Sequence, residues 1–170
     1  MIYLALGTCE NKLNIQHEIA YSMLFAMLKE LGYGDIHIKT EDSGRPCTEV
    51  DGLDFSISHS KNACAVCIVS DIEKDIECTF SLPVNGTKVG VDIEEISDKF
   101  SLVSKNKLAK RFLGSEVSSK NEFFRLWTRN EAYGKMTGEG VICKKELECT
   151  YLTFEAELSD SVYSLSIAIH

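Results

Sequence analysis

The sequence has no apolar run long enough to cross a bilayer; stretches such as Ala63 to Val69 fall far short of the roughly 20 residues a spanning helix needs. Its start, Met1-Ile2-Tyr3-Leu4-Ala5-Leu6, lacks the basic leader and small-residue cleavage site of a secretory signal. These absences make the cytoplasm the expected location, with no membrane partner. A disulfide framework is missing too. The seven cysteines, at positions 9, 47, 64, 67, 78, 143 and 149, are odd in number and lie in apolar, strand-like surroundings, so they read as reduced thiols. Cys64-x-x-Cys67 has zinc-ligand spacing, yet positions three apart on a strand face opposite ways, and no second pair follows at finger distance. Positive charge is in short supply. The 18 Lys and Arg against 26 Asp and Glu leave a net charge of −8, which argues against nonspecific nucleic-acid binding.

What is present describes a globular α/β chain. Its 170 residues, 44% hydrophobic and 26% charged, suffice for one core or for two small halves packed together. Residues 2–6 read as a strand, and apolar residues at Ile15, Ile19, Met23, Ala26, Met27 and Leu31 predict a helix over about 14–31 that Gly32 ends. A short strand over 36–39 leads to the turn Ser43-Gly44-Arg45-Pro46, and strands follow at 55–58 and 63–69. Strand 89–94 alternates cleanly, with Val89, Val91 and Ile93 on one face and Gly90, Asp92 and Glu94 on the other. Helices are expected at about 101–112 and 120–137, and strands near 147–155 and 162–169. The element order nearly repeats, which suggests two related α/β halves, 1–88 and 89–170, with no low-complexity linker between them.

Asp92-x-Glu94 puts two carboxylates on one strand face. Hard oxygen ligands of this kind suit magnesium held against substrate phosphates, although an exposed strand face often carries acids for solubility alone. In the helix from Glu122 to Lys135, residues Phe124, Trp127, Glu131 and Lys135 fall within an arc of roughly 80°. Two charged groups thus continue an inward aromatic stripe, where a plain surface Glu–Lys pair would lie on the opposite side. Arg45 on its turn has the fork that grips phosphate, and Ser58 and His59 at a strand end carry further donors, His59 serving equally well as a capping residue.

Gly44-Arg45-Pro46, Ile57-Ser58-His59-Ser60, Gly90-Val91-Asp92-Ile93-Glu94 and Trp127-x-x-x-Glu131-Ala-x-x-Lys135 stand in the order seen in 4′-phosphopantetheinyl transferases. The chain resembles the Sfp-type branch, in which one chain holds two similar halves; the likeness covers roughly residues 40–140. The resemblance implies a pseudo-twofold α/β fold, each half a small sheet packed on helices, with coenzyme A between them. The half 1–88 would face the nucleotide and its 3′-phosphate through Arg45, Ser58 and His59, and 89–170 would carry the metal and the chemistry. Asp92, Glu94 and Glu131 would bind magnesium, Glu131 would also serve as base, and Lys135 would steady the transferring phosphate. The implied partners are coenzyme A and an apo acyl or peptidyl carrier protein, and a monomer is expected. A magnesium-dependent phosphodiester hydrolase and a binding-only homologue are the competing readings.

Further expectations concern single segments. Asn130 stands where the family has lysine, so Asn130→Lys is expected to raise the rate. The basic cluster of Lys105, Lys107, Lys110 and Arg111 is either a solvated helix face or a dock for an acidic carrier. Asn85-Gly86 predicts a hairpin pairing 76–82 with the strand at 89–94, which would bring Glu77 beside the metal strand; in the alternative pairing, Ala63–Val69 takes that edge.

Overall fold

The structure, a computed structural model, describes residues 1–72, 86–99, 101–140 and 149–170. The elements run β1 (Ile2–Thr8), α1 (Leu13–Glu30), β2 (Lys39–Thr40), β3 (Pro46–Cys47), β4 (Leu53–Ser60), β5 (Ala63–Ser70) and β6 (Val89–Glu95). They continue with α2 (Leu102–Leu108), a wider helical turn over Ala109–Leu113, α3 (Lys120–Thr137), β7 (Thr150–Leu158) and β8 (Ser161–Ile169).

Two three-stranded antiparallel sheets, β1-β5-β4 and β6-β8-β7, share one plan: the first strand and the middle strand flank the last. The fold is a mixed α/β one with small sheets against helices. Ala63, Ala65, Cys67 and Val69 of the first sheet and Val91, Ile93, Leu165 and Ile167 of the second make a common core. The other face of β5, with Val66 and Ile68, packs on Leu24 and Leu28 of α1. Burial on both faces explains the unbroken apolar run of β5, every residue of which is buried. Cys64 and Cys67 lie on opposite faces of this strand, both as free thiols.

α1 buries Gln16, Ala20, Leu24 and Leu28, one position along from Ile15, Ile19, Met23 and Met27 of the expected stripe, and Ala26 is exposed. A glutamine heads the buried stripe because its amide donates to Lys61 O at 2.6 Å. α3 has the expected bounds. Ser119 accepts the Glu122 N–H at its start, and Gly138, at φ 76°, turns the chain out of the helix.

β6 pairs with β8, from Val89 opposite Ile169 to Glu95 opposite Tyr163. This corrects the alternative pairing with β5, whose two edges are taken by β1 and β4. The second edge of β6 is met by side chains of β4: Asp54, Ser56, Ser58 and Ser60 accept the N–H groups of Val89, Val91, Ile93 and Glu95, at 2.8, 3.0, 3.3 and 3.4 Å. Residues 76–82, the expected hairpin partner, and Glu77 lie outside the described residues.

Candidate active site

The alternation of β6 sends Val91 and Ile93 into the core and turns Gly90, Asp92 and Glu94 toward α3. Gly90 decides how near α3 can lie, since a Cβ there would meet Ala132 O at 1.9 Å and Met136 N at 2.7 Å. With that contact made, the next two residues on the face, Asp92 and Glu94, run alongside the helix that carries Glu131 and Lys135.

Lys135 Nζ donates to Asp92 Oδ1 and to Ser58 Oγ, both at 2.7 Å. Ser58 Oγ in turn donates to Asp92 Oδ1 at 2.9 Å and accepts the Ile93 N–H. Its single hydrogen and both lone pairs are then spent. Asp92 is 4% exposed, and its Oδ2 has no hydrogen-bond partner. Glu94 Oε2 accepts from Ser60 Oγ at 2.7 Å. Burial pushes the Glu94 carboxyl up to about 7, helped by the charges of Asp92 and Glu131 and opposed by Ser60 and Lys135. Burial also raises the pKa of Glu131, with Asp92 adding to the shift and Lys135 opposing it. Three carboxylates share one ammonium. Among the described residues, no three His, Cys, Asp or Glu side chains stand close enough to form a ready-made metal centre.

Two cavities flank this group. The first, of about 240 Å³, lies between the Ser43–Pro46 turn and the end of α3, with Glu131 and Lys135 in its wall. The second, of about 270 Å³, has Glu94 and Lys61 in its wall together with Phe123, Phe124 and Trp127. The expected stripe on α3 is therefore divided: its aromatics line one cavity, and Glu131 and Lys135 the other.

Arg45 lines the first cavity, but most of its guanidinium is committed. Nη2 donates to Asp54 Oδ2 at 2.6 Å and to Val89 O at 3.2 Å, and Nε donates to Lys135 O at 2.9 Å. Only Nη1 has no hydrogen bond; it lies 3.7 Å from Glu41 Oε1. His59 lies on the α1 side of β4, its ring 5.2 Å from that of His17. Burial lowers its pKa, and the charges of His17 and Lys135 lower it further. Asn130 is buried and lines neither cavity, so a lysine there would enter a buried position rather than either cavity wall. Lys105, expected in a basic docking face, is also buried: its ammonium donates to Ser97 O at 3.2 Å and lies over the Phe124 ring.

The motifs alone give no role to Asp54, Ser56 or Ser60. The available signal was the strict alternation Asp54, Ser56, Ser58, Ser60 on a strand whose other face is Phe55, Ile57 and His59.

No protein-family model matches the sequence. The chain is 34% identical over 121 residues to 4′-phosphopantetheinyl transferase HetI of Nostoc sp., a match covering 68% of this chain and 47% of that protein. The chain thus spans about half the length of the relative it matches. Taken with the ordered motifs and the carboxylate–lysine group they build, this likeness shows that the chain belongs to the 4′-phosphopantetheinyl transferase family.

Proposed function

We propose that the chain transfers the 4′-phosphopantetheine arm of coenzyme A to a serine hydroxyl of an apo acyl or peptidyl carrier protein, releasing 3′,5′-ADP, with magnesium held by Asp92, Glu94 and Glu131. One arrangement carries the reading: three carboxylates and a lysine from β6 and α3 stand between two cavities, in a chain of this family.

The oxygen donors are of the type that suits a divalent cation. Asp92 Oδ2 is buried without a partner, and burial raises the Glu94 and Glu131 carboxyls, as expected where acids lack counter-charge. Magnesium, when bound there, offsets the pyrophosphate charge and steadies the leaving group.

In this reading the carrier's serine oxygen bonds to the phosphorus next to pantetheine while the bridging P–O bond breaks, and 3′,5′-ADP leaves with the electron pair. Glu131, in the first cavity wall, takes the serine proton directly or through a water it orients. Lys135 offers its ammonium to charge developing on the transferring phosphate. The Ser43–Pro46 turn, with Arg45, would face the nucleotide end, and His59 would serve it from β4. Ser58, its hydroxyl saturated, acts through Asp92 and Lys135 at the metal and the transferring phosphate.

Incubating the chain with coenzyme A, magnesium and an apo carrier protein tests the proposal. The carrier should gain the mass of the phosphopantetheine arm. An unmodified carrier across acyl and peptidyl types would overturn it, and cleavage of a phosphodiester substrate would favour the hydrolase instead.

A further inference from the structure

β4 reaches β6 twice in the same way. Ser58 Oγ donates to Asp92 Oδ1 at 2.9 Å and accepts the Ile93 N–H at 3.3 Å; Ser60 Oγ donates to Glu94 Oε2 at 2.7 Å and accepts the Glu95 N–H at 3.4 Å. Each hydroxyl grips one carboxylate and the peptide group that follows it. Ser56 makes the same backbone contact to Val91, but the residue in the carboxylate's place is Gly90, which has no side chain. Joining the strands therefore does not require the bond to a carboxylate, which is an addition at Ser58 and Ser60 alone.

A serine has one hydrogen to give. Spent on one carboxylate oxygen, it limits the rotation of the group and leaves the other oxygen over. Asp92 Oδ2 has no partner, and among the described residues no hydrogen bond reaches Glu94 Oε1. We propose that Ser60 is a positioning residue that holds Glu94 with one oxygen open to a divalent cation, as Ser58 holds Asp92. The inference rests on the transfer reading above. Ser58 also binds Lys135, so Ser60 is the cleaner probe.

In the full chain, Ser60→Ala should raise the magnesium concentration for half-maximal transfer roughly tenfold or more, with the KM for carrier unchanged. Binding of Mn²⁺ in the presence of coenzyme A and without carrier, followed by electron paramagnetic resonance, should weaken by a similar factor. Ser60→Thr keeps the hydroxyl and should restore both readouts. Ser56→Ala should lower the melting temperature and leave Mn²⁺ binding unmoved. A Ser60→Ala protein with lowered melting temperature but unchanged Mn²⁺ affinity would make Ser60 a strand tie like Ser56 and overturn the proposal. If Ser60→Ala does not fold, Ser60→Cys, a weaker donor of similar shape, takes its place, and unshifted Mn²⁺ affinity there is equally fatal. Failure of the parent chain to transfer at any magnesium concentration refutes the function reading, and the Mn²⁺ measurement still decides the role of Ser60.

Discussion

Two acid–base pairs, Arg45–Asp54 and Lys135–Asp92, differ in what each leaves over. Arg45 and Asp54 close on each other. Their side chains are 7% and 8% exposed, Asp54 Oδ2 also takes the Val89 N–H, and Arg45 spends further donors on main-chain carbonyls. Lys135 and Asp92 stay open, with side chains 33% and 6% exposed, an orphan oxygen on the acid and two further carboxylates alongside. The first pair comes close to satisfying itself and builds structure. The second is short of positive charge, and that shortage is what a cation and a phosphate substrate would relieve.

The strongest way to break the contrast is to remove the open acids. Asp92→Ala, Glu94→Ala and Glu131→Ala should each lower transfer by roughly a hundredfold or more while the fold persists; stability should hold or rise for Glu94→Ala and Glu131→Ala, where carboxylate crowding is relieved, and fall for Asp92→Ala, which takes the acceptor from Lys135 and Ser58. Near-parent rates in any two would end the assignment. At the closed pair the effect should fall on folding instead. Arg45→Ala leaves Asp54 buried and unpaired, and chemical denaturation should show a loss of about 3–5 kcal/mol. A loss below about 1 kcal/mol, the range of a surface pair, would show that the arginine is not structural.

A pH series sharpens the comparison further. The Glu94 carboxyl titrates near 7 in the folded chain against 4.5 for the ordinary group. Between those values the unfolded chain gives up a proton that the folded chain keeps, so stability falls as pH rises through the window. Glu94→Gln removes that slope, and its advantage over the parent without added metal should open between about pH 4.5 and 7. Parallel stability curves would contradict the shift. The smallest effect belongs to the exposed cations. Reversing Lys107, Lys110 and Arg111, with buried Lys105 left alone, should raise the KM for carrier a few-fold at low salt and less at high salt. The KM for coenzyme A should not move.

Local signals carried most of the secondary structure into view. α3 could be bounded because its start and stop are written in Ser119 and Gly138, and β6 because its alternation is clean. Other features depend on long-range partners. Gln16 counts as polar in any periodicity, and only its bond to Lys61 O, 45 positions away, explains its place in the buried stripe of α1. The strand expected over 36–39 shrinks to Lys39–Thr40, and the helix expected over 101–112 is regular only to Leu108 before widening. Neither change has a marker in the sequence. At the site, Asp92, Glu94, Glu131 and Lys135 were legible from spacing. The commitment of Arg45 to Asp54 was hidden, since a fork suited to phosphate suits a carboxylate equally well.

The row of β4 side chains along β6 also bears on how the chain avoids sticking to copies of itself. β6 has one edge unmatched by any strand among the described residues, and open strand edges recruit other chains. Here alternate N–H groups on that edge are already taken by Asp54, Ser56, Ser58 and Ser60, so an incoming strand finds those donors occupied. If the two sheets part, the cover is lost with them, and the edge of Val89–Glu95 opens to association with other strands.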